Sequence, residues 1–305
     1  MPDIFKIALK NESLCGYSWP AANAVCNLAV MTGMDEYAGR YAPFAEYMNA
    51  HNVNVRVLDA FGQGLNAASS DALQRWPKDA FPKNVDAIYL MIKEMEENGL
   101  PTFIMGHSMG SFMVQSLLLR YPHCSSGAIL CGSNGGQRSL MRAGYALAKL
   151  TVSDAKRKEP APFLQNLGLG GYAKAVKNRK TDFDWLSVNE ENVKEYIADP
   201  LCGCENTGGF WLEFLRGMTT IWSPRNLKNL SKDERILIIA GAEDPVGQNG
   251  KGPDWLYKTY RALGARDVRL KIYPGMRHEI LREAGRHTVM NDILAFLKQP
   301  EASSN

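Results

Sequence analysis

One G-x-S-x-G pattern limits what this chain can fold into more than any other feature. It consists of Gly106, Ser108 and Gly110. The apolar run Thr102–Met105 before it is typical of a buried strand, and Ser111–Arg120 after it carries apolar residues at helical spacing. Glycines let a strand and a helix approach closely at a tight turn, which exposes the serine hydroxyl at the start of the helix. The pattern therefore predicts a nucleophile elbow at Ser108.

Strand and helix patterns alternate before residue 134 and again after residue 230. The predicted strands are Ile4–Lys10, Ser13–Trp19, Ala24–Met31, Val53–Leu58, Thr102–Met105, Gly127–Cys131, Arg235–Ala240 and Val268–Tyr273, and the predicted helices are Tyr37–Asn49, Phe81–Asn98, Ser111–Arg120, Pro253–Leu263 and Thr288–Leu297. This alternation indicates an α/β fold, with a mostly parallel central sheet and helices on both faces. The first two strands are expected to form a hairpin, and the last strand is expected near a sheet edge.

The alternation stops between residues 134 and 230. This stretch has little strand pattern, two basic clusters around residues 149–158 and 174–180, and many aromatic residues. The aromatic residues are Phe163, Tyr172, Phe183, Trp185, Tyr196, Phe210, Trp211, Phe214 and Trp222. We interpret the stretch as an inserted helical cap whose basic clusters form solvated helix faces. The expected organisation is a core of residues 1–133 and 231–305, with the cap at 134–230.

Composition excludes several classes of function. A chain of 305 residues suits one large domain, and a net charge of +3 does not indicate nucleic-acid binding. The sequence has no apolar run long enough for a transmembrane helix and no secretory signal pattern at its start. We therefore expect a cytoplasmic protein, for which weak membrane association and the oligomeric state stay open.

The cysteines do not predict a metal site. They are Cys15, Cys26, Cys124, Cys131, Cys202 and Cys204. Only Cys202 and Cys204 lie close in sequence, and no second pair follows at zinc-binding spacing. Reduced thiols are expected, and neither a metal nor a cofactor is predicted.

A serine nucleophile needs a general base, and the base needs a carboxylate that orients it. After a nucleophile elbow these groups follow in the chain order serine, acid, histidine, each on a loop after a strand. His278 directly follows the predicted strand Val268–Tyr273, and Asp244 follows Arg235–Ala240. Glu243 and Asp254 are weaker candidates by position. The predicted triad is Ser108, Asp244 and His278.

Two backbone N–H groups are expected to form the oxyanion hole. One belongs to Met109, the residue after the nucleophile, and the other to a loop after an early strand. Gly33 and Met34 occupy the matching loop, and Met34 is the predicted donor.

Four segments resemble serine hydrolases of the α/β-hydrolase fold, in the group of monoacylglycerol lipases, lysophospholipases and serine aminopeptidases. They are Thr32–Tyr41, Gly106–Gly110, Gly241–Gly247 and Tyr273–Leu281. The resemblance covers nearly the whole chain and is weakest in the cap. It implies the fold and the triad, and it implies hydrolysis of carboxylic esters through an acyl-enzyme, with monoacylglycerol or lysophospholipid-like substrates.

The chain departs from the family pattern near the expected oxyanion hole. It has Thr32 where the family usually has His, and Asp35 where the family usually has Gly. The loop 59–64 also lacks the two histidines that relatives usually carry there. These departures affect the expected geometry of the Met34 donor and do not affect the triad.

Two other functions stay open from the sequence. A peptidase or amidase would use the same triad, and Glu190–Glu191 in the cap is the only local hint of a site for a substrate ammonium group. A non-catalytic binding protein on a hydrolase scaffold is the second alternative.

Overall fold

A computed structural model describes residues 2–299. Within them, eight strands form a single sheet in the order β1-β2-β4-β3-β5-β6-β7-β8. The strands are β1 Asp3–Ala8, β2 Ser13–Trp19, β3 Cys26–Met31, β4 Val53–Leu58, β5 Thr102–His107, β6 Gly127–Cys131, β7 Arg235–Gly241 and β8 Asp267–Tyr273. β1 and β2 form an antiparallel hairpin, β2 pairs antiparallel with β4, and the pairs from β4 to β8 are parallel. The predicted hairpin, the mostly parallel sheet and the edge position of the last strand are confirmed.

Helices cover both faces of the sheet. They are α1 Ala42–Ala50, α2 Ala80–Glu96, α3 Met109–Arg120, α4 Arg138–Thr151, α5 Pro162–Ala175, α6 Glu190–Ala198, α7 Gly208–Ile221, α8 Pro224–Leu227, α9 Lys251–Ala262 and α10 Arg286–Lys298. Alternate residues of β3 show how the sheet separates two cores. Leu28 and Val30 pack in one core with α1 and α10, whereas Ala29 and Met31 pack in the other with α2, α3 and α9.

The segment between β6 and β7 is helical and contains α4 to α8. Its helix α7 packs against α4 and also contacts α2 and α3. Thr207 begins α7: its side-chain oxygen accepts a hydrogen bond from the backbone N–H of Phe210, and its hydroxyl donates to the carbonyl oxygen of Gln74 at 2.6 Å. This segment is therefore attached to the loop after β4 as well as to its own two ends.

The basic clusters of this segment are mostly exposed, with one exception. Arg157 is half-buried and forms an ion pair with the buried Glu213 at 2.8 Å. The prediction of solvated faces is wrong for Arg157, because packing between the 3₁₀ turn Ala155–Lys158 and α7 brings it to an acidic partner that lies 56 residues away in sequence.

All six cysteines are free thiols. Among the described residues, no helix combines the length and the apolar character that a membrane span requires. The cytoplasmic location stays a prediction.

Candidate active site

Ser108 lies in a strained turn between β5 and α3. Its backbone has φ of 49° and ψ of −117°, which is rare for a residue that carries a Cβ. The N–H of Ser108 donates to the carbonyl oxygen of Cys131 at 2.9 Å, and the hydroxyl of Ser111 donates to the carbonyl oxygen of Ser108 at 2.6 Å. These two hydrogen bonds hold the strained turn at the amino end of α3, as the elbow pattern predicts.

The two glycines of the pattern are required by close backbone packing. A Cβ on Gly110 would collide with the carbonyl oxygens of Met31 and Thr32, and a Cβ on Gly106 would collide with the backbone of Gly110. The helix α3 therefore lies directly against β5 and the end of β3. This packing places Ser108 beside the loop that follows β3.

We expect Gly110→Ala to lower the free energy of unfolding by about 1–3 kcal/mol, because the new methyl group has only backbone atoms to displace. Gly171→Ala in α5 is the matched control, because nothing lies within 4 Å of its added Cβ. That control should be neutral or more stable by up to about 1 kcal/mol. Urea denaturation of both variants measures the difference, and equal stabilities would contradict the close packing at the elbow.

Asp244 and His278 are in direct contact at the ends of β7 and β8. Nδ1 of His278 donates to Oδ2 of Asp244 at 3.0 Å, and both side chains are buried. The other carboxylate oxygen, Oδ1, accepts a hydrogen bond from the N–H of Val246 at 2.8 Å. The carboxylate is therefore oriented by its own loop and in turn orients the imidazole ring.

Two more glycines bring the histidine loop to this position. A Cβ on Gly241 would collide with the carbonyl oxygens of Met276 and Arg277. A Cβ on Gly132, which has φ of 59°, would lie 3.1 Å from Cε1 of His278. The ends of β6 and β7 thus leave room for the loop that carries His278.

Ser108 and His278 face the same cavity, whose volume is about 480 Å³. Both predicted oxyanion residues, Met34 and Met109, also line it. Seven of the nine aromatic residues singled out in residues 134–230 line the same space: Tyr172, Phe183, Trp185, Tyr196, Trp211, Phe214 and Trp222. The volume lies in the range of small-molecule sites, and the lining is mainly apolar around a few polar groups.

The loop after β3 carries Met34 and is held by side chains from elsewhere in the chain. The backbone N–H of Met34 has no backbone acceptor within residues 2–299. Next to it, the amide nitrogen of Gln63 donates to the carbonyl oxygens of Gly33 at 2.8 Å and Glu36 at 2.7 Å. The hydroxyl of Thr32 donates to the carbonyl oxygen of Leu58 at 3.4 Å. Gln63 belongs to the loop 59–64, so this loop supports the Met34 loop directly.

The sequence reasoning did not identify a buried charged network beside the triad. Glu36 accepts hydrogen bonds from the ring of His107 at 2.9 Å and from the hydroxyl of Tyr41 at 2.8 Å. Arg40 forms a two-point ion pair with Glu279, with distances of 2.6 and 3.2 Å. The one signal in the sequence was that Glu279 directly follows His278.

Burial opposes ionisation in this network, but the ion pairs outweigh it. Burial alone would raise the pKa of Glu36, yet the charges of His107 and Arg40 bring that pKa down to about 2. Burial alone would lower the pKa of His107, yet Glu36 and Glu279 raise it above its ordinary value. The network therefore places acidic and basic groups in contact with one another directly behind the His278 loop.

Other candidates lie away from the cavity. Glu190 and Glu191 are exposed at the start of α6 and do not line the cavity, so they offer no ammonium site there. Glu243 is exposed, and Asp254 pairs with Lys258 at 2.7 Å. In the part of the chain that the structure describes, no group of three His, Cys, Asp or Glu residues is arranged to hold a metal ion.

The family model described as Serine aminopeptidase, S33 (Hydrolase_4) matches residues 22–285. The chain belongs to this family. The match covers strands β3 to β8 and the helical segment between β6 and β7, and it confirms the family resemblance of the four sequence segments.

Named relatives of this S33 family member include lipases. It is 25% identical to a monoacylglycerol lipase of Mycolicibacterium smegmatis over 268 aligned residues. The aligned region covers 87% of this chain and 85% of the relative. It is also 25% identical to the human monoglyceride lipase over 295 aligned residues. This aligned region covers 95% of this chain and 88% of the relative.

Solved structures confirm the α/β-hydrolase fold. A thermostable carboxyl esterase from Bacillus coagulans, solved with glycerol, superimposes with a TM-score of 0.87 at 23% identity over 97% of each chain. A monoglyceride lipase from Saccharomyces cerevisiae, solved with a substrate analogue, gives a TM-score of 0.76 at 18% identity, over 97% of this chain and 95% of the other.

Proposed function

We propose that this protein is a serine hydrolase that cleaves carboxylic esters of a monoacyl lipid through an acyl-enzyme intermediate. The observation that carries the proposal is that Ser108, at a strained turn, and His278, which is hydrogen-bonded to the buried Asp244, line one cavity. The named lipase relatives support the same reaction. We also propose that residues 134–230 act as the cap over this site.

In the acylation step, the hydroxyl oxygen of Ser108 attacks the ester carbonyl carbon. Nδ1 of His278 is held by Asp244, so Nε2 accepts the Ser108 proton as the new C–O bond forms. The carbonyl oxygen becomes an oxyanion that accepts hydrogen bonds from the N–H groups of Met34 and Met109. The intermediate then expels the alcohol, which receives the proton from His278.

In the deacylation step, His278 removes a proton from water, and the resulting nucleophile attacks the acyl carbon on Ser108. The tetrahedral intermediate collapses, the bond to Ser108 breaks, and the serine oxygen recovers its proton from His278. The carboxyl group of Asp244 stabilises the imidazolium in both steps. The products are a fatty acid and an alcohol.

The aromatic lining favours an apolar acyl group. Trp211, Phe214 and Trp222 line the cavity from the cap, and Phe112 and Met109 line it from α3. Each methylene buried in such a pocket contributes about 0.8 kcal/mol, which corresponds to roughly a fourfold gain in kcat/KM. The size of the cavity sets an upper limit to this gain.

A series of p-nitrophenyl esters from acetate to laurate tests both parts of the proposal. We expect kcat/KM to rise by roughly fourfold per methylene over the shorter acyl chains and then to level off. A fluorophosphonate probe should label the protein, because it reacts with activated serines. Aminoacyl p-nitroanilides, measured at the same concentrations, are the comparison for a peptidase.

The outcomes separate the competing functions. A flat chain-length profile would contradict the apolar acyl pocket, and faster cleavage of the anilides would favour the peptidase. If the probe does not label the protein and no ester is turned over, the catalytic proposal is contradicted. That result would favour a binding protein on a hydrolase scaffold.

A further inference from the structure

Asp35 occupies an unusual place beside the proposed oxyanion hole. It directly follows Met34, it is buried, and its φ of 57° lies in the left-handed region. Glycine adopts this conformation without strain, and Asp is one of the few other residues that tolerate it. The catalytic steps proposed above give Asp35 no role, so its retention of a side chain at a glycine-like position needs a separate explanation.

The side chain of Asp35 joins three separate segments. Its Oδ1 accepts hydrogen bonds from the amide of Gln74, in the loop before α2, at 2.9 Å and from the thiol of Cys204 at 3.5 Å. Its Oδ2 accepts a hydrogen bond from the amide of Asn206 at 3.0 Å. Cys204 and Asn206 lie between α6 and α7, so the carboxyl group links the Met34 loop to both core and cap.

The backbone of Asp35 reinforces this link. Its carbonyl oxygen accepts hydrogen bonds from the hydroxyl of Tyr196 at 2.9 Å and from the N–H of Gly203 at 3.1 Å. Met34 is therefore followed by a residue whose side chain and main chain are both bound to the cap. The Met34 N–H thus lies one residue before this attachment to the cap.

The partners of the Asp35 carboxyl group are uncharged. Within residues 2–299 it forms no ion pair, and the thiol of Cys204 and the phenol of Tyr196 have pKa values raised by burial, so both groups are neutral. Arg40 lies 4.8 Å from the centre of the Tyr196 ring but binds Glu279 and Glu36. A buried carboxylate without a cation is costly, which favours the protonated acid.

Two basic residues line the same cavity: Lys174, which is exposed, and Arg179, which pairs with Asp182. The other ionisable groups near this loop are acidic or are already paired. Glu36 is paired with His107 and Arg40, Tyr37 donates its hydroxyl to Asp199, and Glu205 lines the cavity from the cap. Asp59 is a second buried carboxyl group, which accepts hydrogen bonds from the N–H groups of Ala38 and Leu65. None of these groups supplies a positive charge to Asp35.

Each amide beside Asp35 also retains an oxygen without a partner. Within the described residues, Oε1 of Gln74 and Oδ1 of Asn206 are buried and accept no hydrogen bond. Rotation of the Asn206 amide would present its oxygen to a proton on Oδ2 of Asp35. It would break the 2.9 Å hydrogen bond from that amide to the Gln165 oxygen, which would keep its hydrogen bond from the backbone N–H of Asn206. An acceptor for the acid proton is thus available in the cluster.

We propose that Asp35, in its uncharged form, is a positioning residue that ties the loop of the Met34 oxyanion donor to the cap, and that its ionisation lowers the rate of ester hydrolysis. The proposal rests on the proposed function. The physical reason for the second part is that a carboxylate next to Met34 repels the oxyanion that forms in the same cavity. Burial raises the pKa of Asp35 to about 7, although hydrogen bonds from Asn206, Cys204 and Gln74 oppose this rise.

The experiment compares pH profiles of kcat for the wild type, Asp35→Asn and Asp35→Gly, with released p-nitrophenol followed at its isosbestic wavelength. The wild type should show an alkaline fall in kcat of about tenfold that begins near pH 7, where Asp35 loses its proton. Asp35→Asn carries a neutral side chain of the same shape, so it should keep kcat within about threefold at pH 6 and lose the alkaline fall.

Asp35→Gly keeps the backbone conformation and the main-chain hydrogen bonds to the cap, and it removes the side-chain part of the tie. We expect it to lower kcat about tenfold at every pH with little change in KM, because the loop loses its contacts to Gln74, Cys204 and Asn206. Three results would each overturn the proposal. They are a kcat of Asp35→Gly equal to that of the wild type, an alkaline fall of kcat that persists in Asp35→Asn, and a kcat of Asp35→Asn at pH 6 as low as that of Asp35→Gly. A persistent fall would point to another group such as Asp59.

Thermal unfolding tests the buried acid without any turnover. Because the folded state binds the Asp35 proton more tightly than the unfolded chain, wild-type stability falls as pH rises from about 4 to about 7. Asp35→Asn has no such loss, so its Tm should rise relative to the wild type across this range. A constant Tm difference would overturn the proposal even in an active enzyme. If the enzyme shows no turnover but the Tm difference between Asp35→Asn and the wild type still grows as pH rises, only the proposed function is contradicted.

Discussion

Replacing Ser108 by alanine should lower kcat for p-nitrophenyl esters by about 10⁴–10⁶-fold and abolish labelling by the fluorophosphonate probe. Without the hydroxyl oxygen no acyl-enzyme can form, and only the oxyanion hole and substrate binding remain to assist water. The folded structure should tolerate the change, because Ser108 is half-buried and lines a cavity instead of a packed core. Steady-state kinetics and gel fluorescence of the labelled protein measure the two effects.

Ser116→Ala is the matched control for this experiment. Ser116 lies two turns further along α3, is buried and does not line the cavity. We expect the control to keep kcat and labelling within about twofold of the wild type. Turnover that survives in Ser108→Ala, while the control is unaffected, would show that another nucleophile carries the reaction.

Replacing Asp244 by asparagine should lower kcat by about 10⁴-fold. The amide no longer stabilises the imidazolium, and its NH₂ group favours the wrong tautomer of His278. The effect should lie in kcat far more than in KM, because Asp244 is buried behind His278 and does not itself line the cavity. A series of substrate concentrations at a fixed pH separates the two parameters.

Glu243→Gln provides the control at the neighbouring position. Glu243 is exposed and was the other acidic candidate on the same loop, so the change removes one negative charge without touching His278. Its kcat should stay within about twofold of the wild type. If Glu243→Gln were as slow as Asp244→Asn, the role of orienting carboxylate would not belong to Asp244.

The spacing of apolar residues predicted the strands and helices of the core well, because each element shows its own spacing over residues that are neighbours in sequence. The largest error at the start of a helix is in the helix predicted over Tyr37–Asn49. Residues Ala38–Tyr41 form a 3₁₀ turn instead, and α1 begins at Ala42, with Pro43 in its first turn. The apolar spacing continues through both segments, so the pattern alone could not locate the boundary.

Chain order and strand ends were enough to select Asp244 and His278, because parallel strands present the loops after them at one edge of the sheet. The structure places these two side chains in hydrogen-bond contact, and both Ser108 and His278 at one cavity. Their catalytic roles stay predictions that the variants above test. The sequence held no comparable rule for Glu36 or Gln63, whose partners lie in other loops.

Local sequence determined the strained turn, the parallel sheet and the order of the candidate catalytic groups, because each depends on residues close together in the chain or on the direction of the strands. Tertiary packing alone decided which aromatic residues of the segment 134–230 line the cavity with Ser108, how Gln63 supports the Met34 loop, and that Asp35 is buried among uncharged partners. These features depend on contacts between residues up to 171 positions apart, as between Asp35 and Asn206, and the surroundings of a carboxyl group, which control its proton, exist only after the chain has folded.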